Sequence, residues 1–203
     1  MKFRESKLAH EYLDSLWGIE VGGAAHNSFN LPHCLNVDYT DEDTAFKLGE
    51  VQLCGEKMKV DIIADGADLP FKDETLDYVI SSHVIEHFFD PIATIKEWLR
   101  VIKPGGYIFI IAPKKDDDPQ ETRPYTELSE LIERHKGSIK PKDVVMGHEV
   151  SQVTGLPLND KAHWSVWDLE HFLPICQHMG LDVVESLESD DKVGNGFCVV
   201  IKK

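Results

Sequence analysis

Residues 17–38 read Trp-Gly-Ile-Glu-Val-Gly-Gly-Ala-Ala-His-Asn-Ser-Phe-Asn-Leu-Pro-His-Cys-Leu-Asn-Val-Asp. A short apolar run carrying one acid, Glu20, stops at Gly22-Gly23, and a second run from Cys34 to Val37 ends in Asp38. Strand, glycine turn, strand and terminal acid is how an open α/β sheet builds a nucleoside site. Glycines lack Cβ and tolerate positive φ, so ligand and backbone can approach closely. A carboxylate at the end of the second strand can accept hydrogen bonds from both ribose hydroxyls.

Two details discriminate among nucleoside cofactors. Glu20 lies just before the turn, where the pyrophosphate of a dinucleotide would approach and be repelled. The same carboxylate favours a cationic ligand such as the amino group and sulfonium of S-adenosylmethionine. Furthermore, only eleven residues, Ala24 to Cys34, separate the glycines from Leu35, and Pro32 is among them. A crossover needs roughly 10–12 residues, so the first helix must be stunted or absent, and with it the helix N-terminus that holds a pyrophosphate. Taken alone, Gly22-Gly23 is equally compatible with a plain strand-ending turn; the rest of the chain has to decide.

The 203 residues suit one domain with an inserted cap. No stretch of eighteen apolar residues occurs, and Met1-Lys2-Phe3-Arg4-Glu5 lacks an apolar signal core, which points to a soluble, cytoplasmic protein. Cys34, Cys54, Cys176 and Cys198 are widely spaced and read as free, mostly buried thiols. With 36 acids against 21 Lys and Arg, the net charge of −15 is a poor platform for nucleic acids or anionic membranes. The acidic runs Asp116-Asp117-Asp118 and Glu185 to Asp191 read as solvated loops. The basic stretch Arg134 to Lys142 reads as a solvated face, with contact to an anionic substrate group as the alternative.

Periodicity places an amphipathic helix over 5–16, strands over 18–21 and 34–37, a short helix ending near Gly49, and a third strand over Met58–Ile63. The loop Ala64 to Phe71 follows, where Asp65 can accept a hydrogen bond from an adenine amino group. Leu76–Ser82 is a strand running into His83-Val84-Ile85-Glu86-His87, so Ser82 and His83 face the crevice at the carboxyl ends of the strands. Asp90 caps the next helix, Pro91 takes its first position, and Ile92, Ile95, Leu99 and Ile102 form its buried stripe before Lys103-Pro104-Gly105-Gly106. Tyr107–Ala112 is apolar without alternation, as in a central strand covered on both faces. Residues 114–165 break the rhythm and read as a substrate-facing cap, with one helix over Glu127–His135. A helix over Trp167–His178, a strand over Leu181–Leu187 and a strand over Phe197–Ile201 close the chain, the last two antiparallel.

Ile19-Glu20-Val21-Gly22-Gly23, Asn36-Val37-Asp38, Asp65 through Phe71, Asp77-Tyr78-Val79-Ile80, His83-Val84-Ile85-Glu86-His87 and Arg100 through Gly106 occur in the order found in class I S-adenosylmethionine-dependent methyltransferases. Over residues 17–113 the chain resembles the broad small-molecule group of that family often called type 11. The resemblance implies an α/β, doubly wound, mostly parallel seven-stranded sheet of Rossmann-like form with its last strand antiparallel. To this the sequence adds the shortened first crossover and the cap inserted between strands five and six. The resemblance also implies a single domain over 1–203 with its cofactor core at 17–113. Glu20, Gly22 and Gly23 would surround the methionine moiety, Asp38 the ribose, and Asp65 with Gly66 the adenine. Val21, Asn27, Tyr39, Ala67, Ser82 and His83 complete the candidate S-adenosylmethionine-binding residues. Gly23-Ala24-Ala25 replaces the commoner Gly-x-Gly, and His26 and Asn27 are placed to supply missing contacts.

Methyl transfer from a sulfonium is an in-line displacement that needs alignment and a water-poor pocket rather than a metal. A hydroxyl acceptor also needs a base, and histidine suits that task. His83, His163 and His148 are the candidates. His83 and His87 have i,i+4 spacing, but the residues between them do not follow His-Glu-x-x-His, and no metal is expected. The function read from the sequence is methyl transfer to a small-molecule acceptor; the resemblance of the shortened turn to that of relatives associated with glycan and cell-surface polysaccharide synthesis implies a sugar hydroxyl. The alternatives are a non-catalytic cofactor-binding regulatory module and an NAD-dependent oxidoreductase.

Overall fold

Seven strands, β1 (Gly18–Val21), β2 (Cys34–Asp38), β3 (Ile62–Ile63), β4 (Leu76–Ser82), β5 (Ile102–Pro113), β6 (Asp182–Leu187) and β7 (Gly196–Lys202), form one sheet in the order β3-β2-β1-β4-β5-β7-β6. This computed structural model describes residues 3–203; Met1 and Lys2, which begin the polar N-terminal stretch, lie outside the described residues. β1 to β5 run parallel, and β7 is antiparallel to both β5 and β6. The predicted doubly wound sheet with an antiparallel last strand is therefore the observed one. Val21 lies opposite Val37 on one side and Ser81 on the other, which brings Gly22, Asp38 and Ser82 level at the carboxyl edge.

The central strands bury alternate residues on opposite faces. Val79, Ile108, Ile110, Val199 and Ile201 pack beneath α3 (Pro91–Val101), α4 (Leu128–His135) and α5 (Leu169–His178), whose Ile95, Trp98, Leu131, Phe172 and Ile175 are fully buried. Tyr78, Ile80, Phe109, Ile111, Cys198 and Val200 face the other way, under Ala9 and Leu13 of α1 (Arg4–Leu13). No helix occurs between β1 and β2; Phe29 and Leu31 of that connection plug the second face in its place.

Several boundaries differ from expectation. The β-branched run before Ile62 stays outside β3, because pairing with β2 covers only Val37 and Asp38. The following helix, α2 (Ala45–Cys54), passes through Gly49; it is capped by Thr44, whose hydroxyl accepts from Lys47 N–H, and ends at Gly55 in the left-handed region, φ 87°. Trp98 and Val101, not Leu99, complete the buried stripe of α3, since the helix stops before Ile102. Within the predicted cap, α4 belongs to the helix layer, with Leu131 in the same apolar cluster as α3. The cysteines are unbridged; Cys176 and Cys198 are buried, Cys34 half-buried and Cys54 exposed.

Trp98 is fully buried, and its indole N–H donates to Gly66 O at 2.8 Å, tying α3 to the loop after β3. Trp98→Ala should destabilise the domain by about 3–5 kcal/mol through the cavity it leaves, measured as a lowered urea midpoint at unchanged slope. A loss under about 1 kcal/mol would contradict this packing role.

Candidate active site

A cavity of about 650 Å³ opens at the carboxyl edge of β1, β2 and β4, within the range of small-molecule sites, about 300–1,000 Å³. Its floor is the glycine turn. Gly22 has φ +66°, and a Cβ there would meet Val84 Cγ2 at 2.7 Å. A Cβ on Gly23 would meet Asn36 Oδ1 at 2.7 Å and the Glu20 carboxyl carbon at 3.0 Å. With no helix to absorb the turn's amides, side chains do so. Gly23 N–H donates to Asn36 Oδ1 at 2.9 Å, and Ala25 N–H to Glu50 Oε2 at 3.0 Å.

Of the predicted cofactor residues, Val21, Gly22, Gly23, Asp38, Tyr39, Asp65, Gly66, Ser82 and His83 line the cavity. Glu20, Asn27 and Ala67 are not among its lining residues. Glu20 is packed behind Gly23, and Asn27 donates through Nδ2 to Lys192 O at 2.6 Å. Ala67 N–H instead closes a turn on Asp65 Oδ1 at 2.9 Å. His26, offered as a substitute contact, does line the cavity, with Nδ1 buried and unpartnered.

Asp38 does not stand alone: Lys47 Nζ lies 2.7 Å from its Oδ2 and 3.4 Å from Glu50 Oε1, all three buried. Burial pushes the Glu20 carboxyl up to about 7, a rise that the Lys192 ammonium opposes. Lys192 is itself 4 % exposed, and burial lowers its pKa. The sequence hid Lys192 beside an acidic run and Lys47 in an ordinary amphipathic helix; neither position carries a motif.

The candidate bases separate. His83 lines the cavity in the left-handed region, φ 54°, and its Nε2, buried and unpartnered, is turned toward Gly196 and the Asp190 carboxylate. Burial holds its pKa down to about 4. Asp190 Oδ1 accepts from Val193 and Gly194 N–H, leaving Oδ2 without a partner. His163 lines the opposite wall near Glu86 and His87. Burial lowers the pKa of both histidines and raises that of Glu86 to about 8. His148 lies outside this cavity, 2.9 Å from Asp118 Oδ2 in a smaller cleft behind His163.

The far wall comes from residues 150–164. Gly147 and His163 exchange backbone hydrogen bonds at 2.9 and 2.8 Å, and Trp164 N–H donates to Glu86 O at 2.8 Å. Arg134, expected on a solvated face, is 3 % exposed and clamps this wall through Trp164 O and Ser165 Oγ, each at 3.2 Å. Asp116 accepts from Tyr125 O–H at 2.7 Å, so that acidic run is also partnered. Phe46, Leu53, Val150 and Val153 form an apolar mouth.

Residues 21–110 match the family described as a methyltransferase domain. Ajmaline N-methyltransferase of Rauvolfia serpentina is 26% identical over 136 residues, 65% of this chain and 47% of that protein. An uncharacterised protein of Methanocaldococcus jannaschii is 38% identical over 96 residues, 46% of this chain and 42% of that protein. The chain thus matches under half the length of these curated relatives. In fold, it superposes on the crystal structure of an S-adenosylmethionine-dependent methyltransferase from Methanosarcina mazei with a TM-score of 0.56 at 15% identity, covering 97% of this chain and 96% of that one. The matched span contains the glycine turn, Asp38, Asp65 and β4, the segments that build the cavity floor, and the sheet around them has the same architecture. On these grounds the chain resembles S-adenosylmethionine-dependent methyltransferases: residues 21–110 match a methyltransferase domain, and the whole chain has the fold of these enzymes.

Proposed function

We propose that this chain transfers a methyl group from S-adenosylmethionine to a hydroxyl of a small molecule, with a sugar as the acceptor class. The observation that supports it best is the 650 Å³ cavity seated on a glycine turn too tight for a Cβ, with acids at the adjoining strand ends. The residues fit the cofactor: Gly22 and Gly23 give backbone access, Asp38 stands at the ribose position and Asp65 beside Gly66 at the adenine position. Lys192 would face the methionine carboxylate, and Glu20 would act on the amino group and sulfonium through its field from behind Gly23. When bound, the cofactor supplies an electrophilic methyl carbon. A dinucleotide fits less well, because the turn leads into no helix that could hold its pyrophosphate.

The chain's own contribution is to orient the acceptor, exclude water and take a proton. Phe89 and Trp164, ring centroids 5.3 Å apart, offer aromatic faces of the kind on which sugar rings pack. His83 is the proposed base: its imidazole is neutral near pH 7, and the free Oδ2 of Asp190 is placed to stabilise the imidazolium formed when a proton arrives.

Calorimetry with S-adenosylhomocysteine should give one site, and Asp38→Ala should remove the heat while circular dichroism stays unchanged; unaltered affinity would take Asp38 out of the site. A silent titration of the intact chain would overturn the cofactor assignment itself. His83→Asn, which tolerates the left-handed backbone, should lower kcat by about 10²–10⁴-fold with S-adenosylhomocysteine affinity within a few fold of the parent. Because the Glu20 carboxyl is protonated below about pH 7, S-adenosylmethionine affinity should fall as pH drops through that value, by at most about tenfold per unit. Glu20→Gln should flatten the profile, and a flat profile for the intact protein would show that Glu20 does not act on the cofactor.

A further inference from the structure

Glu86 is fully buried, yet neither carboxylate oxygen has a hydrogen-bond partner. Its ion-pair neighbours among the described residues are His87 Nε2, 3.6 Å from Oε1, and His163 Nε2, 3.9 Å from the same oxygen. The two imidazoles meet edge to face, centroids 4.7 Å apart, and one ligand atom from each of the three residues lies within 4.8 Å of the others. All three residues line the cavity. A buried carboxylate without a side-chain donor is costly, and among the described residues its ion-pair neighbours are two imidazoles.

We propose that Glu86, His87 and His163 bind a divalent transition ion, zinc by ligand chemistry, whose fourth position opens into the cavity. Two imidazoles and one carboxylate with an open position is the ligand set of catalytic zinc sites. Metal–ligand bonds of about 2.0–2.1 Å in a tetrahedral shell place ligand atoms about 3.3–3.4 Å apart. The observed 3.6 and 3.9 Å exceed this by a few tenths of an ångström, within reach of side-chain torsions. The backbone fixes the set. Glu86 and His87 lie in the 3-10 turn Ile85–His87, and the hydrogen bond from Trp164 N–H to Glu86 O joins that turn to the segment bearing His163.

Neighbouring clusters do not compete. Glu121 and His148 also lie near His163, but Arg123 holds Glu121 at 2.6 Å and Asp118 holds His148 at 2.9 Å. The order His-x-x-Glu-His over 83–87 does not act as a helical zinc motif, because His83 turns toward Gly196. The site deepens the methyltransferase reading and rests on it only for what occupies the open position: an acceptor hydroxyl, coordinated and acidified, that gives its proton to His83.

The test needs no turnover. Zinc titrated into the full chain, after chelator treatment, should bind with one-to-one stoichiometry, and cobalt should give the visible absorption of a tetrahedral site. His163→Gln and Glu86→Gln should each weaken binding by at least about tenfold with near-ultraviolet circular dichroism unchanged. Should Glu86→Gln fail to fold, His87→Gln carries the same expectation. No heat with zinc and no cobalt band would overturn the proposal, as would affinity unchanged in Glu86→Gln and His87→Gln, or lost only in His148→Gln. S-adenosylhomocysteine binding measured in parallel with chelator present separates this failure from failure of the methyltransferase reading.

Discussion

A parallel crossover without a helix must find partners for backbone amides that a helix would otherwise satisfy. Here the partners are Asn36 Oδ1, accepting from Gly23, and Glu50 Oε2, accepting from Ala25 and also from Met58 at 2.7 Å. Glu50 therefore ties the turn after β1 to α2 and to the approach to β3. Asn36 does the same within the sheet, its Nδ2 donating to Lys59 O at 3.0 Å. These side chains hold the cavity floor in place through hydrogen bonds to its backbone. The absent helix also leaves room on that face of the sheet, which Phe29 and Leu31 fill.

Charge at the site follows from that closeness. Lys47 is fixed by α2 between Asp38 and Glu50, and Lys192 comes over the same region from the loop before β7. Removing Lys47 would leave two buried carboxylates uncompensated, a loss of about 3–5 kcal/mol, whereas removing Asp38 leaves Lys47 paired with Glu50. α2 is therefore more than a crossover helix, since it neutralises the acid at the end of β2 and holds the turn after β1.

The sheet, its order of elements and most of the cavity floor were legible in the sequence because each depends on local pattern. Val79, Ile108 and Ile110 sit in apolar runs, Asp90-Pro91 starts α3, and Gly22-Gly23 ends β1. What escaped depends on distant pairing. The length of β3 is set by where β2 ends, and Lys192 and Asp190 reach the site only because β7 inserts between β5 and β6. His148 and His163 look alike in sequence, yet one faces Asp118 and the other Glu86. Arg134 read as one charge in a basic stretch because its acceptors, Trp164 O and Ser165 Oγ, are thirty residues or more away.

The two carboxylates left most exposed to burial costs, Glu20 and Glu86, bracket the cavity from opposite sides. For Glu20 the sign is definite. Its unfolded carboxyl ionises above about 4.5 while the folded one resists until about 7. The stability it contributes is thus present in acid and lost as pH rises across that window, on the order of 3 kcal/mol. A cation bound beside Glu20 reverses the loss, so folding strain at neutral pH becomes affinity for a positively charged ligand. Among the described residues Glu86 has two imidazoles and no ammonium within its ion-pair shell, so a proton or an added ion would compensate it. A chain that already carries −15 gains more from binding cations at these two points than from burying further carboxylates.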